Sequence, residues 1–281
     1  MRWTRGQRSE DIEDRRGVRL SRTLPIGLGG LVLIGALSLL TGQNFFQLLL
    51  PLLDQPQVTT SGGGGPIDSS PEEAERVEFV SFVLDDAQST WRTLLPDRYR
   101  NAKLVLFREA VESGCGFAQS AMGPFYCPED EKVYIDLGFY DELHQRFGAS
   151  GDFAQAYVLA HEIGHHVQHL LGIEPRVRAM QQQRPDLANE LSVRMELQAD
   201  CLAGIWGHST GQRDILERGD VEEGLNAAAA IGDDRIQRMR QGSVHPESFT
   251  HGSSAQRVRW FRTGLEQGEV RACDTFRDAL G

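Results

Sequence analysis

The sequence predicts an α+β fold, mainly helical with a small sheet, preceded by one transmembrane helix. Three observations predict it. Residues 24–41, LPIGLGGLVLIGALSLLT, carry no charge, and a second apolar run follows from Phe45 to Leu53 after a short polar break. Three short segments of strand character cluster between residues 103 and 137. Beyond them the apolar residues recur at three- and four-residue steps almost to the end, the period of helices. A few strands followed by many helices is the signature of the α+β class.

Taken in order, residues 1–23 contain seven Arg and four acidic residues, a net charge of +3. The whole chain of 281 residues carries −11, so the remainder carries −14. A global basic footprint for nucleic acid is therefore absent, and no nucleic-acid partner is expected. The uncharged stretch after the Arg cluster approaches the ~20 apolar residues that span a bilayer. The alternatives are a buried helix, disfavoured so near an Arg-rich terminus, and a cleaved signal peptide. Against it, apolar character continues to Leu53, with no evident small-x-small cleavage site followed by polar chain. With the Arg cluster before the span and the next cation only at Arg76, the positive-inside rule places the N-terminus in the cytoplasm. The expected organisation is a cytoplasmic tail at 1–23, a single-pass anchor in the cell membrane lipid at 24–50, a Gly/Ser/Pro linker at 51–71 and an extracytoplasmic domain at 72–281. The linker includes four consecutive glycines, which give a flexible tether.

Within the domain, Val77, Val80, Leu84, Ala87, Trp91 and Leu94 define one face of a helix over 72–95, started by Ser70-Pro71 and ended by Pro96. Lys103–Phe107, Phe125–Cys127 and Val133–Leu137 read as strands, the last two joined by the turn-like Pro128-Glu129-Asp130. The last strand is either core or a surface for pairing with a substrate backbone. Helices are expected at about 138–147, 152–171, 188–207, 220–241, 253–267 and 269–280. Four cysteines with no CxxC pair argue against a zinc knuckle and for two disulfides in an oxidising compartment. Of the three pairings allowed, Cys115–Cys127 is preferred, because Gly114, Gly116, Gly123 and Pro124 let that segment turn back. Cys201–Cys273 then follows.

The chemistry is concentrated at residues 161–165, His-Glu-Ile-Gly-His. On a helix, His161 and His165 share a face and can hold one ion, while Glu162 sits beside them as a candidate base. A metzincin would need His at position 171, which is Leu. The third ligand is then expected from the later segment NELSVRMELQADC at 189–201, where Glu196 can complete a His₂Glu zinc site. Asp200, four residues on, can orient a ligand His through its outer nitrogen. Glu190 is a rival ligand, but Arg194 four residues away suggests a surface ion pair. Gly164, inside the motif helix, costs about 1 kcal/mol relative to Ala, and close approach of another backbone would account for it.

The segments HEIGHHVQ at 161–168, MELQADCLAGIW at 195–206 and THGSSAQRVRWF at 250–261 resemble a family of bacterial membrane-anchored neutral zinc metallopeptidases. So do SGCGFAQSAMGPFYCPEDEKVYID at 113–136 and ACDTF at 272–276. The resemblance extends over the anchor, the linker and nearly all of the domain. It implies a gluzincin-like zincin domain with Zn²⁺ as cofactor and a protein or peptide as substrate. Peptide hydrolysis would then use a zinc-activated water, with Glu162 as general base. His251, in the loop Thr250-His251-Gly252, is the candidate second donor to the oxyanion, its plainer reading being a loop residue without catalytic use. His166, His169, His208 and His245 are read as ordinary polar residues. Two other functions compete: a non-catalytic, zinc-stabilised adaptor for envelope proteins, and a zinc hydrolase of another amide such as peptidoglycan. Retention of Glu162 favours an enzyme, because a structural metal needs no base.

Overall fold

The computed structural model of the chain describes residues 1–18, 20–22, 58–60 and 67–277. The chain divides into two compact units, one formed by Met1–Asp14 with Ser69–Gly281 and the other by Arg15–Asp68. In the smaller unit, strands β2 (Leu20–Arg22) and β3 (Val58–Thr60) pair antiparallel, Leu20 opposite Thr60. A strand thus lies within the stretch expected to be linker. Among the described residues no helix is long and apolar enough to cross a membrane. The expected anchor, 24–50, lies outside the described residues.

The larger unit is mainly helical with a small sheet, as the α+β pattern requires. Its four-stranded sheet has the order β1-β4-β8-β7, formed by β1 (Ile12–Asp14), β4 (Lys103–Phe107), β7 (Phe125–Cys127) and β8 (Lys132–Asp136). β4 runs parallel to both β1 and β8, and β7 runs antiparallel to β8. Strand β8 is therefore an interior strand, paired with β4 along its length and with β7 over Lys132, Val133 and Tyr134, which favours the core role of its two expected ones. A separate hairpin, β5 (Ala110–Ser113) with β6 (Gly116–Gln119), was not legible because Gly-Cys-Gly masks the alternation of its short strands.

β1 is the main surprise. The sequence assigns residues 1–23 to a tail separate from the domain, yet Met1–Asp14 is built into it. Asp11 accepts from Lys103 at 2.7 Å, Asn101 at 2.6 Å and Gln88 at 2.9 Å. Burial opposes its charge, but these donors hold the carboxyl below its ordinary value. Glu13 pairs with Lys132 at 2.7 Å, and the Trp3 ring meets Phe79 edge-on. Acidic residues that look solvated in the sequence are matched to cations of the next strands.

The helices follow as α1 (Pro71–Leu94), α2 (Phe139–Gln145), α3 (Asp152–Leu170), α4 (Ile173–Gln183), α5 (Ala188–Gln212), α6 (Asp220–Ala230), α7 (Asp233–Gln241) and α8 (Ser254–Gln267). α4 escaped the sequence reading because Pro175 looks like a breaker. It falls in the first turn, where a missing N–H costs nothing. The expected single helix at 220–241 is two, broken at Ile231-Gly232, where the chain passes so close to Ser254 that a Cβ at Gly232 would lie 2.4 Å from the Ser254 nitrogen. The break also frees Asp233 to accept from the backbone N–H groups of Thr250, His251 and Gly252. Of the helix expected at 269–280, the described residues, which end at 277, show instead a short 3₁₀ turn, Val270–Cys273, tied to α5 by the disulfide Cys201–Cys273. Cys115–Cys127 joins the β5–β6 turn to β7. Both expected pairings are present.

α3 lies in the middle of the core, with Phe153, Tyr157, Leu159, Ile163 and Val167 fully buried. It crosses α5 at Gly164, where an added Cβ would meet the Ala199 carbonyl oxygen at 2.9 Å and Ala199 Cα at 3.2 Å. This is the close backbone approach that the motif glycine demands. α5 crosses α8 still more tightly, since a Cβ on Gly264 would lie 1.9 Å from the Cys201 carbonyl oxygen. Two glycine contacts thus set the spacing of the three central helices. Replacing Gly164 with Ala would gain about 1 kcal/mol of helix propensity. The obstacle is backbone, however, and forcing helices apart typically costs about 1–3 kcal/mol. Net destabilisation is expected, seen as a lower urea midpoint, with reduced metal content because His165 and Glu196 sit on opposite sides of that contact.

Candidate metal centre

The site forms where α3 faces α5. His161 and His165 lie one turn apart on α3, Glu196 projects from α5, and one donor atom of each lies within 4.8 Å of the others. His161 Nε2 is 3.1 Å from Glu196 Oε2, and His165 Nε2 is 3.5 Å from Glu196 Oε1. Both imidazoles therefore present the same nitrogen to the carboxylate.

Each outer nitrogen is already committed. His161 Nδ1–H donates to Asp200 Oδ1 at 2.9 Å, and His165 Nδ1–H donates to Gln168 Oε1 at 2.9 Å. This fixes both tautomers with Nε2 as the lone-pair donor, an arrangement typical of ligand histidines. Two imidazole nitrogens and one carboxylate are a donor set that could hold a zinc ion as three protein ligands. By its donors the centre fits that ion.

Behind it stands a buried network that sequence reasoning located only in part. Asp200, on α5, is wholly buried. Arg257, from α8, grips it with Nε to Oδ2 and Nη2 to Oδ1, both at 2.8 Å. The Tyr157 hydroxyl, from α3, also donates to Oδ1. Burial disfavours the Asp200 charge, but Arg257 outweighs it and keeps the carboxyl below its ordinary value. Arg257 lies in the segment THGSSAQRVRWF, but nothing local separates it from Arg259 and Arg262 of the same helix, so it reads as surface. Gln168 was missed altogether. Its amide donates to the Met195 carbonyl at 2.8 Å and to Gln198, whose own amide donates to the Cys273 carbonyl at 2.8 Å. His165 is thus positioned through a chain that ends at the disulfide.

Glu162 is buried beside the histidines, and burial raises its pKa against the opposing pull of His165 and His161. Glu190 is not in the site. It is ion-paired with Arg194 at 2.8 Å, as its spacing suggested. His251 lies in the loop before α8, with a half-exposed side chain and Nδ1 at 3.2 Å from Asp233. That contact raises its pKa, with a smaller contribution from the charge of Glu196. His166 is a structural residue. Nε2–H donates to the Arg100 carbonyl at 2.8 Å, Nδ1 accepts from Tyr126, and burial holds its pKa down at about 4. The other cluster close enough for a metal among the described residues, Asp152, Asp220 and Glu223, is all carboxylate. There the Met1 amino group lies 2.7 Å from Asp152 and 3.3 Å from Asp220.

Residues 1–276 match the family described as "Putative neutral zinc metallopeptidase". The chain belongs to this family. It is 48% identical to the uncharacterized protein YpfJ of Escherichia coli K12, over the full length of both chains. It is 45% identical to the uncharacterized protein Rv2575 of Mycobacterium tuberculosis H37Rv and equally to Mb2605 of Mycobacterium bovis, in each case over 69% of both chains. No solved structure matches the chain. Family membership implies zinc and a protein or peptide substrate, and the donor set described above fits the metal.

Two outcomes follow from this geometry. Replacing Arg257 with Met leaves the Asp200 carboxylate buried without its main partner, which should cost about 3–5 kcal/mol in equilibrium unfolding. Because the folded Asp200 pKa is depressed, the wild-type stabilisation is present above its unfolded value near ~3.9 and is lost as pH falls through the lower folded value. Metal binding should also release protons. Burial opposes charge on His161, but Asp200 and then Glu196 hold its pKa up to about 10 in the metal-free chain. At neutral pH a metal must therefore displace that proton. Zinc affinity should rise with pH through the neutral range, and calorimetry in buffers of different ionisation enthalpy should show net proton release. Uptake without proton release would contradict the assignment of His161 Nε2.

Proposed function

We propose that the protein is a zinc metallopeptidase that hydrolyses peptide bonds, with His161, His165 and Glu196 as zinc ligands and Glu162 as general base. One observation carries the reading: both Nε2 atoms face Glu196 while Asp200 and Gln168 occupy both Nδ1 atoms. A salt-bridge cluster has no need of two fixed tautomers, whereas a metal site does. Bound there, zinc would supply a Lewis acid that polarises the scissile carbonyl and acidifies the attacking water.

The remaining work falls to the chain's own residues. Glu162 accepts the water proton at its carboxylate and passes it to the leaving amine. Its raised pKa suits a group that must hold a proton between two steps. Asp200, fixed by Arg257 and Tyr157, keeps the His161 ring from turning. His251, whose pKa is raised by its contact with Asp233, is assigned as the second donor to the developing oxyanion.

The test is a set of variants of the full chain. Glu162→Gln should keep its zinc and its fold while turnover of a peptide library falls by about 10²–10⁴. Glu196→Ala should lose zinc. A Glu162→Gln protein without zinc would make that residue a ligand and overturn the mechanism. If wild type and Glu162→Gln bind zinc equally and neither cleaves any peptide, the adaptor reading replaces the peptidase. Cleavage of muropeptides alone, again dependent on Glu162, would instead make the enzyme a peptidoglycan hydrolase. His251→Ala should lower turnover with little change in zinc content, and unchanged turnover would remove it from the site.

A further inference from the structure

The segment after α8 reaches the metal centre through α5. Cys273 gives two of its groups to that helix. Its sulfur is bonded to Cys201, and its carbonyl accepts from the Gln198 amide at 2.8 Å. Cys201 and Gln198 are three residues apart and share a face of α5. The Thr275 hydroxyl donates to the Arg194 carbonyl at 2.7 Å, and Arg194 Nη1 returns a bond to the Thr275 carbonyl at 2.8 Å. Phe276 is buried with Val177 of α4 and Leu191 of α5. Residues 273–276 thus clasp α5 at Arg194 and Gln198, on either side of the proposed ligand Glu196.

The clasp has a direction, because a backbone carbonyl can only accept. Facing the Cys273 carbonyl, Gln198 must present its NH₂ there, which leaves its Oε1 for Gln168, 3.1 Å away. The Gln168 NH₂ then serves Gln198 Oε1 and the Met195 carbonyl, so its own Oε1 is left to accept from His165 Nδ1–H. That proton keeps the lone pair of His165 on Nε2, the atom facing Glu196. Both amides are buried, so solvent does not replace a lost partner. His161 stands outside this relay and is held by Asp200 and Arg257. One histidine of the pair therefore depends on where Cys273 sits.

Resting on the zinc-site reading above, we propose that closure of Cys201–Cys273 matures the metal centre: with both thiols free the chain binds zinc weakly, and oxidation completes the site through Gln198 and Gln168, its positioning residues. The step is thiol–disulfide exchange with an oxidant that itself carries a disulfide. One cysteine thiolate attacks that disulfide and expels one of its sulfurs as thiolate. The second cysteine thiolate then attacks the mixed disulfide and expels the other. The pair gives up two electrons, its two protons pass through solvent to the expelled thiolates, and the oxidant leaves as a dithiol. Both Cys201 and Cys273 are buried, whereas Cys115 of the other pair is exposed. The closed bond is thus shielded from reductants that open Cys115–Cys127, and it is set once, as the chain folds.

The test follows the zinc affinity of the full chain by competition with a chelating dye. Chain reduced in denaturant with a phosphine and refolded with free thiols is compared with the same sample after treatment with oxidised glutathione. Affinity should rise by about 10–100-fold as mass mapping shows Cys201–Cys273 closing. Equal affinity of the two forms would overturn the proposal. Mild reduction of the native protein, opening Cys115–Cys127 alone, should leave zinc binding unchanged, and loss of zinc at that stage would place the control at the wrong pair. If the thiol form does not fold, Gln198→Leu with both disulfides intact decides. It should weaken zinc binding by the same ~10–100-fold, and cobalt bound in place of zinc should show an altered visible spectrum. Unchanged affinity and spectrum in that variant would remove the relay. Failure of the oxidised wild type to bind zinc would refute the ligand set and this proposal together. Zinc binding that ignores both the thiol state and Gln198 would refute this proposal alone.

Discussion

The Asp200 carboxylate is the group on which the rest of the site depends. It sits on α5, takes its charge partner from α8 and accepts hydrogen bonds from Tyr157 and His161 of α3. A carboxylate buried to this degree survives only with a matched cation and filled lone pairs. Arg257 supplies the cation, and the lone pairs are filled by the very side chain that must be oriented. Three helices far apart in sequence are thus held in register by one ion, and the tautomer of His161 follows from that register. Stability and chemistry share the same atoms.

The geometry requires helices that approach more closely than ordinary side chains allow. Gly164 lets α3 rest on the backbone of α5, and Gly264 lets α8 do the same on its other side. Glu196 and the histidines meet because these spacings are short. The disulfide Cys201–Cys273 then closes the arrangement from behind, and the Cys273 carbonyl accepts from Gln198, the neighbour of the Gln168 that orients His165. One histidine is positioned by an ion pair and the other by a relay of neutral amides. Removing Arg257 is expected to disturb the first far more than the second.

The N-terminal segment shows how a charge pattern misleads when its partners are out of sight. Seven arginines before an apolar run resemble a cytosolic tail, but Asp11 and Glu13 in the same stretch are matched to Lys103 and Lys132 across the sheet. The pairing turns a presumed tail into the edge strand of the domain.

The sequence by itself determined everything that depends on local spacing. The four-residue interval of His161 and His165, the position of Glu196 and Asp200 on one later helix face, the strand at Lys103–Phe107 and the α1 periodicity are all properties of neighbouring residues, and they were readable. The cysteine pairs were also legible, one from the turn-forming residues between its partners and the other by elimination. Only the tertiary structure decided which distant groups complete them. Arg257, Gln168 and Tyr157 carry no local mark of their roles, because burial and partnership are created by packing. β1 is three residues long and gains its identity from β4. The break at Gly232 lies against the backbone of Ser254, and the 3₁₀ turn at Val270–Cys273 accompanies a disulfide to a segment 72 residues away. Local periodicity fixes an element and its faces, but which face meets which is settled by contacts that no window of sequence contains.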